Sequence, residues 1–260
     1  MSSRIISKKE RVFDWVNTLF MLIVIVLTLY PFWYVIVASV SSISHVTNSV
    51  VLLWPDGLNW DAYQQVFRNN LVPTAYGNTL FITIIGTVIS MLLTCTSAFV
   101  LSRRELPGRN LLTLLVVFTM LFNAGTVPFY VTCRQILGIG NSVLALFLPM
   151  SFSAYWVIIM RTFYQSNVPD SIIESARIDG AGEWRTLIQI VLPLATPGLA
   201  TVALFAAIGI WNNFFNCLLL VDEAKYYNLQ FTIYQTLNSI RFLKEMASQV
   251  EATWREVWNS

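Results

Sequence analysis

Five long blocks of this sequence contain no Asp, Glu, Lys or Arg, and they limit the fold more than any other feature. Together they hold 119 of the 260 residues and cover 15–40, 76–101, 111–133, 143–160 and 196–221. A helix needs about 20 apolar residues to cross the hydrocarbon core of a bilayer, and a soluble core cannot bury five such blocks. The sequence therefore predicts an all-α integral membrane protein, a bundle of five transmembrane helices.

The positively charged residues give the orientation of these spans. Ten Lys and Arg residues lie in one set of alternate loops, and three lie in the other set. Because loops rich in Lys and Arg stay in the cytoplasm, residues 1–14 are predicted to be a cytoplasmic N-terminal arm. Residues 15–221 then form the transmembrane domain. Residues 222–260 are predicted to lie outside, as a loop followed by an amphipathic helix.

Composition argues against several classes of function. The net charge of +2 gives no reason to expect a nucleic-acid partner. One histidine, His45, and three cysteines without a C-x-x-C pair predict no metal site. The five blocks hold no acid or base for catalysis, so we predict no catalytic residue and no enzyme. A phosphate-binding sequence ending in Gly-Lys-Ser/Thr is also missing, so any ATP that drives the protein is bound by another chain.

The segment between spans four and five, residues 167–193, is predicted to form a helix–turn–helix elbow at the membrane surface. Pro169 suits the first position of a helix. Glu174 can pair with Arg177 on one face of that helix. Gly180 can take the left-handed conformation that ends the helix.

The second half of the elbow is predicted to be a short helix over residues 183–190, which Pro193 and Pro197 separate from span five. The residues around the turn are unusually small, so another backbone can approach them closely. They are Ser175, Ala176, Gly180, Ala181 and Gly182. The alternative is a solvated loop with ordinary helix caps.

The order of residues in the elbow carries a family signature. Glu174-Ser175-Ala176 is followed by Asp179-Gly180-Ala181, and then by Ile190 and Leu192-Pro193. This pattern resembles the EAA signature of the permease subunits of bacterial ATP-binding-cassette importers. The run ESARIDGA after RTFYQSNVPD looks like the oligosaccharide-uptake branch, and YPFWYVIVASVS, SRRELPGRN and WNNFF are also similar to it. The resemblance extends over about residues 11 to 220.

The resemblance implies a permease subunit in the bacterial cytoplasmic membrane. Its substrate would be an oligosaccharide delivered by an extracytoplasmic binding protein, and a non-sugar or anionic, uronate-type solute is the alternative. The implied partners are two cytoplasmic ATPase subunits, which hold ATP and Mg²⁺, and a second permease subunit in a heterodimer. This chain itself would carry no cofactor. Family members usually have six spans, whereas hydropathy predicts five here.

The resemblance also assigns the elbow as the segment that couples transport to ATP hydrolysis. Glu174 would pair with a basic or polar group of an ATPase subunit. Gly180 would supply the turn, and Asp179 would cap or brace the second short helix. The remaining residues of the motif are Ser175, Ala176 and Ala181.

Polar side chains inside the spans are candidates for the substrate pathway, because they are costly in lipid and usually face a cavity or another helix. Span three carries Asn123 beside Gly125 and Pro128, which are expected to kink or unwind it. In span five, Asn212 and Asn216 are predicted to share one helical face. Amides beside aromatic rings suit a sugar, and hydrogen bonding between helices is the alternative. The span-five candidates are Trp211, Asn212, Asn213 and Asn216.

Overall fold

A computed structural model describes residues 8–42, 46, 53–55 and 57–259. Residues 1–7 of the predicted cytoplasmic arm and His45 lie outside these described residues. The chain divides into two units, Met1–Asn69 and Asn70–Ser260. Each unit is built from helices in the part of the chain that the structure describes.

The first unit contains helix α1, Lys8–Val40, and the short helix α2, Asp61–Arg68. Leu53 and Asn59, which lie between these helices, are hydrogen-bonded to the last turns of α1. The indole Nε1 of Trp33 donates to the carbonyl of Leu53 over 2.8 Å, and the N–H of Asn59 donates to the carbonyl of Val40 over 2.9 Å. These bonds satisfy polar groups where the apolar helix ends.

The second unit is a chain of helices of very different lengths. The long ones are α3, Leu71–Ser102, and α13, Leu229–Asn259. Between them lie α4, Arg109–Leu121; α5, Thr126–Val131; α6, Leu144–Phe147; α7, Ala154–Asn167; α8, Asp170–Ile178; α9, Glu183–Thr186; α10, Leu192–Leu194; α11, Thr196–Trp211; and α12, Phe215–Leu220. Two π-helical turns, Thr132–Ile136 and Leu187–Val191, continue α5 and α9.

The described residues provide up to five membrane spans, in agreement with the prediction. Two helices, Lys9–Val40 and Leu71–Ser102, are long and apolar enough to cross a membrane without a break. Three further spans arise only if pairs of helices joined at a bend are counted as one. The bends are 109° after α4, 45° before α7 and 87° before α11.

Helix α3 is the central helix of the second unit, and most residues on its buried face are small. Helices α7 and α11 pack along it. In lipid, close van der Waals packing replaces the hydrophobic effect as the force that joins helices, and small side chains permit it. The buried positions recur every three or four residues and include Ala75, Thr79, Ile82, Gly86, Ser90, Thr94 and Ala98.

Span three is broken where the sequence predicts it. The chain leaves α4 at Leu121, and Gly125 adopts a φ of 87° before α5 begins. The side-chain oxygen of Asn123 accepts the N–H of Gly125 over 2.8 Å. An Asn that bonds to a backbone group two residues ahead stabilises a turn, which explains why the helix stops here.

Span five is also broken, which the sequence analysis did not predict. Helix α11 ends at Trp211 and α12 begins at Phe215. The N–H of Asn216 bonds to the side-chain oxygen of Asn213 over 2.9 Å, so a side chain caps the second helix. Asn212 and Asn216 therefore lie on opposite sides of a break. The prediction that they share one helical face was wrong.

Helix α13 covers most of the segment for which an amphipathic C-terminal helix is predicted, and it does not have the apolarity of a membrane span. Asn228 precedes it and accepts the N–H of Phe231 over 3.0 Å, which is the geometry of an N-cap. The N–H of Leu229 donates to the hydroxyl of Thr79 on α3 over 2.8 Å. The beginning of α13 is therefore hydrogen-bonded to α3.

Gly198 tests whether close approach holds spans four and five together. A Cβ at this position of α11 would lie 2.9 Å from the ring of Phe163 on α7. We expect Gly198→Ala to destabilise the fold by about 1–3 kcal/mol through overpacking. The measurement is thermal unfolding in detergent, followed with a dye that reacts with the three buried thiols.

Gly77→Ala on α3 is the matched control, since no atom lies within 4 Å of its Cβ position. We expect it to be neutral or to stabilise the helix by up to about 1 kcal/mol. Equal melting temperatures for Gly198→Ala and the unsubstituted chain would contradict the packing account.

Candidate functional site

The elbow begins as helix α8 and turns at Gly180, which has a φ of 78°. The N–H of Gly180 donates to the carbonyl of Arg177 over 3.0 Å. The N–H of Ala181 donates to the carbonyl of Ala176 over 2.9 Å. These two bonds form a Schellman motif, which satisfies carbonyl groups in the last turn of the helix. The predicted left-handed turn at Gly180 is therefore confirmed.

The outer side of the elbow is open. Glu174 and Ser175 are exposed, and Ile178 is 87% exposed. No atom lies within 4 Å of the position that a Cβ would take on Gly180 or Gly182. Another protein can therefore reach the backbone of the turn.

One residue of the predicted small-residue surface, Ala176, does not lie on the open side of the elbow. Ala176 is only 6% exposed and lies on the buried side of α8, so its small size serves packing within the fold. Ala181 is half-buried. The accessible part of the predicted surface consists of Ser175, Gly180 and Gly182.

Arg177 joins the two halves of the elbow to the loop between spans two and three. Its guanidinium donates to Glu105 of that loop over 2.5 Å and to Glu183 of α9 over 3.1 Å. Arg103, in the same loop, pairs with Glu183 over 3.5 Å. Both guanidinium groups meet the carboxylate of Glu183, and Arg177 also links the elbow to the loop through Glu105.

The charge of Arg177 lowers the pKa of Glu105, first through the hydrogen bond between them and then through the Coulomb attraction. A lowered carboxyl pKa means that the ion pair is intact above the ordinary pKa of Glu. It is lost only as the pH falls through the lowered value. The elbow is therefore braced throughout the neutral range.

Several predicted details of the elbow were wrong. Arg177 pairs with Glu105 and Glu183 instead of Glu174, since the loop between spans two and three supplies a better-placed carboxylate. Helix α8 begins one residue after Pro169. Gly182 occupies the cap position of α9 without a side-chain cap, so Asp179 does not cap the second helix.

The second half of the elbow is also longer than predicted. It continues through a π-helical turn and α10, which contains Pro193, and the chain bends only at Ala195. A proline in the first turn of a helix needs no N–H donor there, which is why Pro193 is tolerated.

An amide–aromatic cluster surrounds two of the span-five candidates. The ring of Trp211 meets that of Tyr76 edge to face, with 6.0 Å between their centroids. The side-chain oxygen of Asn212 accepts the amide N–H of Gln230 over 3.2 Å. Asn212 and Tyr76 are exposed, so these groups are accessible to a ligand. We call Tyr76, Trp211, Asn212 and Gln230 the amide–aromatic cluster.

The other pathway candidates are used within the fold. Asn216 is 4% exposed, and its amide donates to the carbonyl of Leu146 over 3.4 Å. The side-chain oxygen of Asn213 caps α12. The backbone carbonyl of Asn213 accepts the side-chain amide of Asn228. Asn123 stabilises the break in span three, and no contact in the described part of the chain joins it to the amide–aromatic cluster.

The sequence did not predict the ion pairs of Arg103 and Arg177 with Glu105 and Glu183, which we call the brace. It also did not predict that Tyr76 and Gln230 belong to the amide–aromatic cluster. Arg103 and Glu105 stand in the charged run SRREL, and that density of charge beside a span was the available signal. Nothing in the sequence marks Tyr76 or Gln230 as functional. Tyr76 lies near the start of an apolar helix and Gln230 near the start of a polar one, where such residues are ordinary. Only the fold brings them to Trp211 and Asn212.

The described residues contain no group of three or more His, Cys, Asp or Glu side chains that could hold a metal ion. Cys95, Cys133 and Cys217 are buried and are not joined in disulfides.

Comparison with known proteins places this geometry among transport proteins. Residues 80–242 match the family described as "Binding-protein-dependent transport system inner membrane component". Protein LplC of Bacillus subtilis is 38% identical over 88% of this chain and 77% of its own length. The polygalacturonan/rhamnogalacturonan transport system permease protein YtcP, of the same organism, is 37% identical over 87% of this chain and 79% of its own.

A solved structure has the same fold. It is the crystal structure of a bacterial ABC transporter involved in the import of the acidic polysaccharide alginate. The match has a TM-score of 0.84 and 32% sequence identity, and it covers 93% of this chain and 87% of that one.

Proposed function

Because the chain belongs to the family of binding-protein-dependent transport system inner membrane components, we propose that it is the permease subunit of an ABC importer for an oligosaccharide. The observation that carries the proposal is the braced elbow with an open outer side. The elbow projects from the ends of several spans, where another protein can contact it. The chain does no chemistry of its own in this account.

The elbow is proposed to dock on a cytoplasmic ATPase subunit. Glu174 is exposed and has no ion-pair partner among the described residues, so its carboxylate is free to meet a basic or polar group of that subunit. Ile178 and Trp184 are 87% and 69% exposed and offer apolar contact. Exposed apolar side chains beside an unpaired charge are typical of a docking surface.

The complete transporter is proposed to contain two ATPase subunits, a second and different permease, and an extracytoplasmic solute-binding protein. ATP and Mg²⁺ would be held by the ATPase subunits. The family description, which names a binding protein and an inner membrane component, supports the general assembly. Closure of the ATPase subunits would move the elbows and thereby the spans.

We further propose that the N-terminus and the elbow lie in the cytoplasm. The excess of Lys and Arg in the corresponding loops supports this orientation. The brace adds support, since it joins the loop after span two to the segment after span four. Two Arg-rich connections that touch each other must lie on the same side of the membrane.

The substrate is proposed to be an oligosaccharide that passes the amide–aromatic cluster. Several relatives are named as permeases for saccharides, among them diacetylchitobiose in Streptomyces coelicolor. Amides bind sugar hydroxyls, and aromatic rings cover the apolar face of a pyranose. An acidic saccharide is the second candidate, because the similar solved structure belongs to an importer of alginate. It has less support, since the five apolar blocks carry no cation.

Gly180 gives a direct test of coupling. Proline cannot adopt a φ of 78° and lacks the N–H that Gly180 donates to Arg177. We expect Gly180→Pro to reduce substrate-stimulated ATP hydrolysis by about tenfold or more. The assay is ATP hydrolysis by the reconstituted importer with and without its loaded binding protein.

Gly180→Asn is the matched control, because Asn tolerates the left-handed conformation and keeps the N–H. It should retain most of the stimulation. Normal stimulation of Gly180→Pro, at normal levels of membrane insertion, would rule out the elbow as the coupling segment.

The amide–aromatic cluster gives a test of the substrate pathway. We expect Trp211→Ala and Asn212→Ala to lower the rate of oligosaccharide uptake about tenfold, the effect of losing one contact of about 1.4 kcal/mol. Stimulation of the ATPase by the loaded binding protein should persist. Uptake of labelled neutral and acidic oligosaccharides into vesicles also distinguishes the two substrate candidates.

Asn216→Ala is the comparison variant, since Asn216 is buried and bonded within the fold. It should lower the melting temperature while leaving the specific uptake of the folded fraction unchanged. Unchanged uptake by both Trp211→Ala and Asn212→Ala would assign these residues to packing.

A further inference from the structure

A cavity of about 470 Å³ lies beside the elbow, where α3 and α7 end. Its apolar lining includes Phe99, Ile173 and Val191. Its charged lining consists of five arginines and three acids, so the cavity carries a net charge of +2. A cavity of this size and composition can hold a small anionic group.

Most of this charge is compensated. Three of the five arginines belong to the ion pairs around the elbow. Arg103 pairs with Glu183, and Arg104 pairs with Asp170. Arg177 pairs with both Glu105 and Glu183. These arginines are therefore explained by the fold.

Arg109 and Arg161 are the two arginines that remain, and Glu174 is the one acid of the lining without an ion pair among the described residues. Neither forms an ion pair with a carboxylate in the described part of the chain. The Nε of Arg161 donates to the carbonyl of Leu101 over 3.0 Å, which fixes the direction of its side chain. Arg109 lines the same cavity, so the two positive charges face a common space and repel each other. A bound anion between them would remove this repulsion.

Membrane topology alone does not explain the pair. The excess of positive charge on one side of the membrane accounts for the presence of arginines, without requiring two unpaired guanidinium groups in one cavity. Arg109 is also the first residue of α4, where a cation interacts unfavourably with the helix dipole. Its charge therefore gains nothing from its own helix.

The position of the cavity at the ends of two spans indicates the source of the anion. Ser102 is the last residue of α3 and Arg109 is the first residue of α4, so the cavity lies where these helices end. Lipid phosphates lie beyond the hydrocarbon that spans cross, near the ends of spans. Basic pockets between membrane helices bind acidic headgroups.

We propose that this cavity binds the phosphate of an anionic phospholipid through Arg109 and Arg161. Guanidinium groups hold phosphate oxygens with paired, charge-assisted hydrogen bonds. The lipid would link the start of α4 to the end of α7, beside the brace of the elbow. The apolar lining residues would contact the carbon atoms next to the headgroup.

The test uses the full chain purified in detergent, with bound lipid counted by native mass spectrometry. Phosphatidylglycerol and phosphatidylcholine are added separately. We expect phosphatidylglycerol to bind at one site at least about tenfold more tightly than phosphatidylcholine. Arg109→Gln combined with Arg161→Gln should weaken the binding of phosphatidylglycerol at least about tenfold.

Arg185→Gln is the matched control. Arg185 lies in the same elbow, donates to Gln189 over 2.9 Å and does not line the cavity. Its substitution should leave phosphatidylglycerol binding unchanged. Equal affinity for the two lipids, or undiminished binding of phosphatidylglycerol by the double variant, would overturn the proposal.

A second arm separates lipid from free phosphate. An excess of inorganic phosphate should not displace phosphatidylglycerol from the unsubstituted chain, because the apolar contacts belong to the lipid alone. Displacement would assign the cavity to free phosphate and overturn the lipid proposal.

Folding of the variants is checked by thermal unfolding. Arg109→Lys with Arg161→Lys keeps both charges but loses the paired hydrogen bonds, so it should weaken binding less than the double Gln variant does. If the double Gln variant does not fold, Arg109→Gln alone takes its place, with the same expected loss of selectivity for phosphatidylglycerol. A folded Arg109→Gln variant that keeps full selectivity overturns the proposal.

Discussion

The proposed coupling depends on the ion pairs of Arg177, because its guanidinium connects three segments that are distant in sequence. It bonds to Glu105 after span two and to Glu183 in the second half of the elbow, while its own helix follows span four. An exposed ion pair by itself stabilises a protein by only about 0–1 kcal/mol. Its importance in the proposed coupling is geometric, since it connects the elbow to the loop between spans two and three.

The spans behind the elbow combine close packing with breaks. Small residues on α3 let α7 and α11 approach, and at Gly86 a Cβ would already lie 3.0 Å from side chains of both α6 and α11. Spans three and five, by contrast, are interrupted at Asn123 and Asn213, whose side chains bond to nearby backbone. In the proposed transport cycle, the packed helices transmit movement of the elbow, and the interrupted helices line the substrate pathway.

Much of this arrangement could be predicted from the sequence, because membrane insertion leaves a strong local signal. The five apolar blocks gave the spans, and Gly180 gave the turn, since few residues other than glycine adopt its φ readily. The partners of Arg177 could not be predicted, because Glu105 and Glu174 are both plausible carboxylates until the fold brings one of them closer. The break after Trp211 was also hidden, since WNNFF is as compatible with a continuous helix as with an interrupted one. Gln230 joins Asn212 only through the return of α13 to the bundle.

The central claim, that the elbow seats on an ATPase subunit, is tested most directly by photo-crosslinking in membranes that contain the assembled importer. A benzophenone maleimide attached to Ile178→Cys reports what touches the most exposed large apolar residue of the elbow, and the buried native thiols give little background. The account predicts a crosslink to the ATPase subunit from Ile178→Cys and none from Ile136→Cys, which is 73% exposed and follows the break in span three. A crosslink to the ATPase from Ile136→Cys and none from Ile178→Cys would contradict it.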